Sequence, residues 1–107
     1  MEDLIMSNAV HLNIYKLKKK ASTEDFLLAV EKLIQEEISK KKGYVSFRLM
    51  LDGDTWVDEV TFETMEDLKN FEKEAKNPSE AARHFYSFIN FIARGNKHHK
   101  LTVEKQL

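Results

Sequence analysis

Two alternating runs joined by a glycine turn constrain this chain more than any other feature. Tyr44 to Leu51 and Thr55 to Phe62 flank the turn Asp52-Gly53-Asp54-Thr55. Alternation at period two marks a strand with two unlike faces. Gly53 suits the first central position of a type II′ turn, whose twist matches the strands it joins. That turn sets a register: Leu51 opposes Trp56, Leu49 opposes Asp58, Phe47 opposes Val60 and Val45 opposes Phe62. On the other face Met50 meets Val57, Arg48 meets Glu59 and Ser46 meets Thr61. Sliding by one residue would carry Trp56, Val60 and Phe62 to the face of Ser46 and Arg48, so the first register is preferred.

The remaining elements follow from periodicity and end signals. Val10, Leu12 and Ile14 alternate with His11, Asn13 and Tyr15 as a first strand. Ser22 caps a first helix, with Asp25 in a capping-box position and Phe26, Leu27, Val30, Leu33, Ile34 and Ile38 on one stripe. Lys40 to Lys42 suit the negative end of its dipole, and Gly43 ends it. Thr64 caps a second helix carrying Met65, Leu68, Phe71 and Ala75. Asn77 and Pro78 are expected to open a third, with Ala81, Ala82, Phe85, Phe88, Ile89 and Ile92 as its apolar girth. After Arg94-Gly95-Asn96 the tail alternates again from His98 to Glu104.

The order β-α-β-β-α-α-β predicts an α+β, ferredoxin-like domain: a four-stranded antiparallel sheet with helices on one face. At 107 residues the chain has room for one core, placed at 9–107 behind an N-terminal extension of 1–8. Val10, Leu12, Ile14, Phe47, Trp56, Val60, Phe62, Leu101 and Val103 are expected to face the helices. His11, Asn13, Tyr15, Arg48 and Glu59 fall on the opposite face, which is polar but too aromatic for a plainly solvated sheet. A homodimer through that face would explain the mixture, with Arg48 and Glu59 paired inside the contact. An open, wet sheet in a monomer is the alternative.

Composition removes several function classes. Seventeen basic side chains against 18 acidic ones give a net charge of -1, which offers no electrostatic footprint for nucleic acid. The run Lys16 to Lys20 reads as a solvated strand end. There is no cysteine, so disulfides, thiolate nucleophiles and cysteine-based zinc sites are excluded, and a reducing cytoplasm is the expected location. No apolar run approaches the roughly 20 residues of a membrane span. Met1 to Met6 lack a basic segment followed by an apolar one, so no signal peptide is expected, and Met6 is an alternative start. Neither a glycine-rich phosphate loop nor a serine elbow is present.

The run from Gly43 to Phe71, with Gly-Tyr-Val-Ser-Phe, the Asp-Gly-Asp turn and Val-Thr-Phe-Glu-Thr-Met-Glu-Asp-Leu, resembles the antibiotic biosynthesis monooxygenase-like family. The likeness extends over the first strand and helix and the Phe-rich third helix. It implies a dimeric α+β barrel and an activity drawn from cofactor-independent oxygenases, haem-degrading enzymes, stress-related proteins or non-catalytic members. The haem-degrading branch uses an Asn in the first strand, a Trp ending the third and a His on the next helix. Here Phe62 holds the third-strand position, Trp56 begins that strand, and Asn13 and His84 are displaced by about one residue, enough to turn a strand side chain over. That triad is not met.

Asp58 is the one ionisable side chain expected on the apolar, helix-facing row. A carboxylate there must be paired, ligand-linked or protonated, because burial disfavours its charge. A raised pKa would suit a general base acting on a phenolic or enolic compound. A purely structural Asp, hydrogen-bonded to Trp56 Nε1, a tyrosine hydroxyl or the helix above, or an Asp exposed near the sheet edge, is the reading the sequence favours over a base. Trp56, Phe62, His84 and Phe88 are the candidate lining of an apolar pocket between helices and sheet. His98 and His99 point to opposite faces of a strand, and no H-x-x-x-H spacing exists, so no metal site is expected. The implied function is cofactor-free oxidation of a small aromatic or polyketide-like compound; the alternative is a dimeric, non-catalytic ligand-binding or stress-associated module.

Overall fold

In the computed structural model, residues 7–107 are described. The N-terminal extension and the alternative start at Met6 fall wholly or mostly outside them. The elements run β1 (Ala9–Leu17), α1 (Thr23–Glu36), a 3-10 turn (Ile38–Lys40), β2 (Tyr44–Asp52), β3 (Thr55–Phe62), α2 (Met65–Glu74), α3 (Glu80–Tyr86), β4 (Ile89–Asn90) and β5 (Lys97–Thr102). The sheet is ordered β2-β3-β1, and the far edge of β1 carries both β5 and the two-residue β4, every pairing antiparallel. This is the expected α+β, ferredoxin-like architecture with one short additional strand.

Local signals placed two helices correctly. Ser22 Oγ accepts from the Asp25 amide at 3.2 Å, and Thr64 Oγ1 accepts from the Asp67 amide at 3.0 Å. Phe26, Ala29, Val30 and Leu33 form the buried stripe of α1, at the i, i+3, i+4, i+7 spacing that one helix face requires. The α-helix ends at Glu36, earlier than the lysine run suggests, and a 3-10 turn completes it. Gly53 has φ 63° while Asp54 does not enter the left-handed region, as a type II′ turn demands.

The hairpin register matches the expectation from Asp52–Thr55 to Ser46–Thr61 and then slips. Tyr44, and not Val45, opposes Phe62. The Gly43 carbonyl accepts the Glu63 amide at 2.7 Å and closes the ladder there, so Val45 is extruded as a bulge. The Tyr44 ring then packs edge-on to Phe62.

Strand β1 is turned over relative to the expectation. His11, Asn13 and Tyr15 oppose Val60, Asp58 and Trp56 and therefore face the helices, while Val10, Leu12 and Ile14 lie on the open face. Tyr15 is buried edge-on against Phe26 and Phe85, and Asn13 supplies a hydrogen bond to Asp58. The helix-facing layer needs polar partners for a buried carboxylate, and the polar row of β1 provides them. Leu101 opposes Val10 on the open face, so it too leaves the core position assigned from the sequence.

Helix α3 is shorter than its apolar periodicity implies. Its cap is Ser79, not Asn77, and it stops at Tyr86. Ile89 and Asn90 instead pair with Leu17 and Lys16, and the Lys18 amide donates to the Phe88 carbonyl at 2.9 Å. Strand pairing outcompetes the last turns, and Ile92, expected in the core, is 93% exposed. Phe26, Phe62 and Leu68 are the large side chains fully sealed in the interior.

Candidate functional site

Asp58 sits at the floor of a cavity of about 570 Å³ between the sheet and the segments α2, α3 and 91–98. Its floor is the inward row of β1 (His11, Asn13 and Tyr15) together with Asp58 of β3 and His98 of β5. Phe71 and Glu72 of α2, with Ala75 just past its end, form one wall, Phe85 and Tyr86 of α3 another, and Phe91 and Asn96 close the side nearest β5. The antiparallel register explains the convergence: Asp58 faces Asn13 across one ladder of β1, and His98 faces Asn13 across the other.

Asp58 is 5% exposed. Its Oδ2 accepts the Tyr15 hydroxyl at 2.8 Å, and its Oδ1 accepts the Asn13 amide at 3.0 Å. Burial pushes its pKa above the ordinary carboxylate range; the bonds from Asn13 and Tyr15, and the nearby His98, oppose that rise without cancelling it. Each carboxylate oxygen retains a lone pair after these contacts. Tyr15 is driven strongly upward by burial, by the Asp58 charge and by the hydrogen bond it donates. Tyr86 is raised by burial first, then by the charges of Asp58 and Glu37. Both phenols are therefore donors across the neutral range.

Beyond Asn13, the floor continues to His11. The Asn13 amide lies 3.3 Å from His11 Nδ1, and His11 Nε2 lies 3.4 Å from Glu72 Oε2. Burial, with the repulsion of His98, lowers His11 to about 4 against the attraction of Glu72, so its imidazole is neutral. His98 Nε2 approaches the same Glu72 oxygen at 3.2 Å. At the side wall, Asn96 donates to the Asn90 carbonyl at 2.8 Å and leaves its own Oδ1 buried without a protein partner.

The site differs in membership from the one expected. Asp58 is where the sequence put it. Trp56 and Phe62 are packed core, and His84 stacks edge-on against Phe88, so none of these four lines the cavity. His11, Asn13 and Tyr15, expected on a dimer face, are cavity floor. Arg48 and Glu59 do pair on the open face, at 2.8 Å. Phe71, Glu72, Tyr86, Asn96 and His98 line the cavity without being among the lining expected from the sequence. Glu72 had a usable signal, since it follows Leu68 by four residues on the buried side of α2.

Neither a protein-family model nor a curated protein sequence matches the chain. Solved structures do. The cofactor-independent oxygenase SnoaB of Streptomyces nogalater superposes with a TM-score of 0.71 at 10% identity, over 94% of this chain and 96% of that one. The ActVA-Orf6 monooxygenase of Streptomyces coelicolor, in complex with nanaomycin D, gives 0.69 at 15% identity, over 94% and 91%. A haem-degrading protein of Mycobacterium tuberculosis gives 0.58 at 14% identity, over 95% and 97%. The chain thus shares the α+β fold of these proteins over nearly its whole length, as the resemblance implied. One fold here carries more than one chemistry, and at these identities it does not select among them. Among the described residues, no helix is long and apolar enough to cross a membrane.

Proposed function

We propose that the protein binds a small, flat aromatic or polyketide-like compound in this cavity and oxidises it with molecular oxygen, with Asp58 as general base. The observation that carries the reading is a buried carboxylate of raised pKa on the floor of a pocket walled by Phe71, Phe85, Tyr86 and Phe91. A phenolic or enolic hydroxyl placed against Asp58 would lose its proton to a carboxylate oxygen. The O–H bond of the ligand breaks, the carboxylic acid forms, and the electron-rich anion left behind yields electrons to dioxygen more readily than its neutral parent. No bound cofactor enters that scheme. Asn96 Oδ1 offers an acceptor to a second ligand hydroxyl. The fold shared with SnoaB, and the nanaomycin D held by the ActVA-Orf6 protein, support the ligand class.

A second reading is ligand capture without catalysis. The bonds from Tyr15 and Asn13 favour it, because they satisfy Asp58 as a structural carboxylate would be satisfied. Oxygen uptake with a panel of anthrone- and quinol-like compounds, for the wild type and Asp58→Asn, separates the two. Uptake abolished in the variant supports the base. Binding without uptake assigns the pocket to capture, and equal uptake by both proteins removes Asp58 from the mechanism.

The proposal includes a second copy of the chain on the open sheet face. Val10, Leu12, Ile14, Met50, Val57 and Leu101 line that face around the Arg48–Glu59 pair, and Met50 and Leu101 are 37% and 44% exposed. A sheet surface that mixes these apolar side chains with the Arg48–Glu59 pair and with Ser46, Thr61, Lys97 and His99 fits a self-complementary two-fold contact with a polar rim. Light scattering at micromolar concentration is expected to return twice the chain mass, and the monomer mass would overturn this part.

A further inference from the structure

The cavity has a second polar group, apart from Asp58, where β1, β5 and α2 meet. His11, Glu72 and His98 each place one ligating atom within 4.8 Å of the others. We propose that these three side chains bind a divalent transition-metal ion of the zinc or ferrous type, with its remaining coordination positions open to the pocket.

The spacing carries the argument. Zinc bonds to imidazole nitrogen and carboxylate oxygen span about 2.0–2.2 Å, so two ligands on one tetrahedral ion lie about 3.4 Å apart. Glu72 Oε2 lies 3.4 Å from His11 Nε2 and 3.2 Å from His98 Nε2. The His11 and His98 ligand atoms lie within 4.8 Å of each other, so the two rings have only to close toward the shared Glu72 oxygen to complete a coordination sphere. Two imidazoles and one carboxylate suit zinc, ferrous iron or cobalt, and not the all-oxygen spheres of magnesium and calcium. Three protein ligands leave at least one position for water or a ligand oxygen. That position opens onto the pocket, since all three residues line it.

The groups around the trio bear on the proposal in both directions. Lys100 Nζ lies 3.4 Å from Glu72 Oε1, competes for the carboxylate and repels an ion. It holds the oxygen that the histidines do not, and its side chain is 43% exposed, free to swing into solvent. Asn13 is the positioning residue for His11. Metal on Nε2 requires the ring proton on Nδ1, where Asn13 must then present its carbonyl oxygen in place of its amide nitrogen. That rotation breaks the bond Asn13 now donates to Asp58 Oδ1, so metal occupancy and the Asp58 hydrogen-bond set are linked.

The base role of Asp58 is not assumed, and the test needs no substrate. Calorimetry with zinc chloride on the tag-free chain is expected to show one ion per chain. His98→Ala and Glu72→Gln should each weaken binding by about tenfold or more, loss of a ligand costing at least as much as loss of its outer partner. His84→Ala and His99→Ala, outside the trio, should leave binding unchanged. Cobalt should produce the visible absorption of a low-symmetry site, lost in His98→Ala. Far-UV circular dichroism verifies that each variant is folded, and half-exposed His98 is the safest substitution. No binding by the wild type overturns the proposal. So does one-to-one binding that survives both ligand variants.

Discussion

Replacing Tyr15 by Phe removes one oxygen atom from the pocket floor and leaves the ring in place against Phe26 and Phe85. That oxygen donates to Asp58 Oδ2 at 2.8 Å, in a buried site. A hydrogen bond to a charged group contributes about 1.5–3 kcal/mol, and one to a neutral group about 0.5–1.5. The cost of Tyr15→Phe should therefore depend on whether Asp58 is ionised. In the folded state Asp58 is raised by burial, so its ionisation costs stability that is retained at low pH and lost as pH rises through its folded pKa. Without the Tyr15 donor that pKa rises further, and the stability difference between the two proteins widens with increasing pH. Urea unfolding of both proteins across a pH series that spans the folded pKa of Asp58 should show a destabilisation of about 0.5–1.5 kcal/mol below that pKa and about 1.5–3 kcal/mol above it. The same series on Asp58→Asn and on the double variant isolates the pairwise part. A difference that stays flat with pH, or persists undiminished once Asp58 is Asn, would refute the assignment of Tyr15 as donor to an ionisable carboxylate.

Gly43→Ala should be costly, because φ is 82° there and a Cβ would overlap the Asp67 carboxylate. The backbone part alone is about 1–2 kcal/mol, readable as a fall in thermal midpoint of several degrees or more. Met50→Lys with Leu101→Lys should abolish the proposed dimer while leaving far-UV circular dichroism unchanged, both side chains being exposed within the single chain; a dimer that survives would move the contact elsewhere. Lys100→Met should tighten zinc binding, because it removes the ammonium beside Glu72. Weaker binding in that variant would place the ion away from Glu72.

Short-range pattern determined what the sequence could say. The hairpin register held at Phe47–Val60, Leu49–Asp58 and Leu51–Trp56 because one turn links those strands. The caps at Ser22 and Thr64 held for the same local reason. The facing of β1 depends on pairing with β3, more than forty residues away, and both of its rows look half-buried. An aliphatic row of Val10, Leu12 and Ile14 reads as core in isolation. The clue was Asp58 itself: a carboxylate on the inner row needs polar neighbours, and only the row of Asn13 and Tyr15 supplies them. The end of α3 misled because the Phe88–Ile92 spacing suits a helix, while the pairing of Ile89 and Asn90 with β1 is invisible locally. The sequence predicts no metal site, because His98 and His99 point to opposite strand faces, His11 lies far along the chain and no H-x-x-x-H spacing exists. His11 and Glu72, the side chains that the fold sets beside His98, come from distant parts of the chain.

Strand β5 brings His98 to the cavity, yet all six of its residues are exposed and, among the described residues, its ladder is to β1 alone. A strand so attached opens at a lower free energy than the hairpin strands or the sealed interior around Phe62. The pocket is accordingly built from parts of unequal permanence, a fixed carboxylate floor and a side that can peel away from it. Entry of the proposed ligand would then need no rearrangement of the core, because loosening β5 would uncover Asn13. An ion bridging His98 to Glu72 and His11 would act as a latch, holding the last strand closed and tying the pocket's accessibility to metal supply.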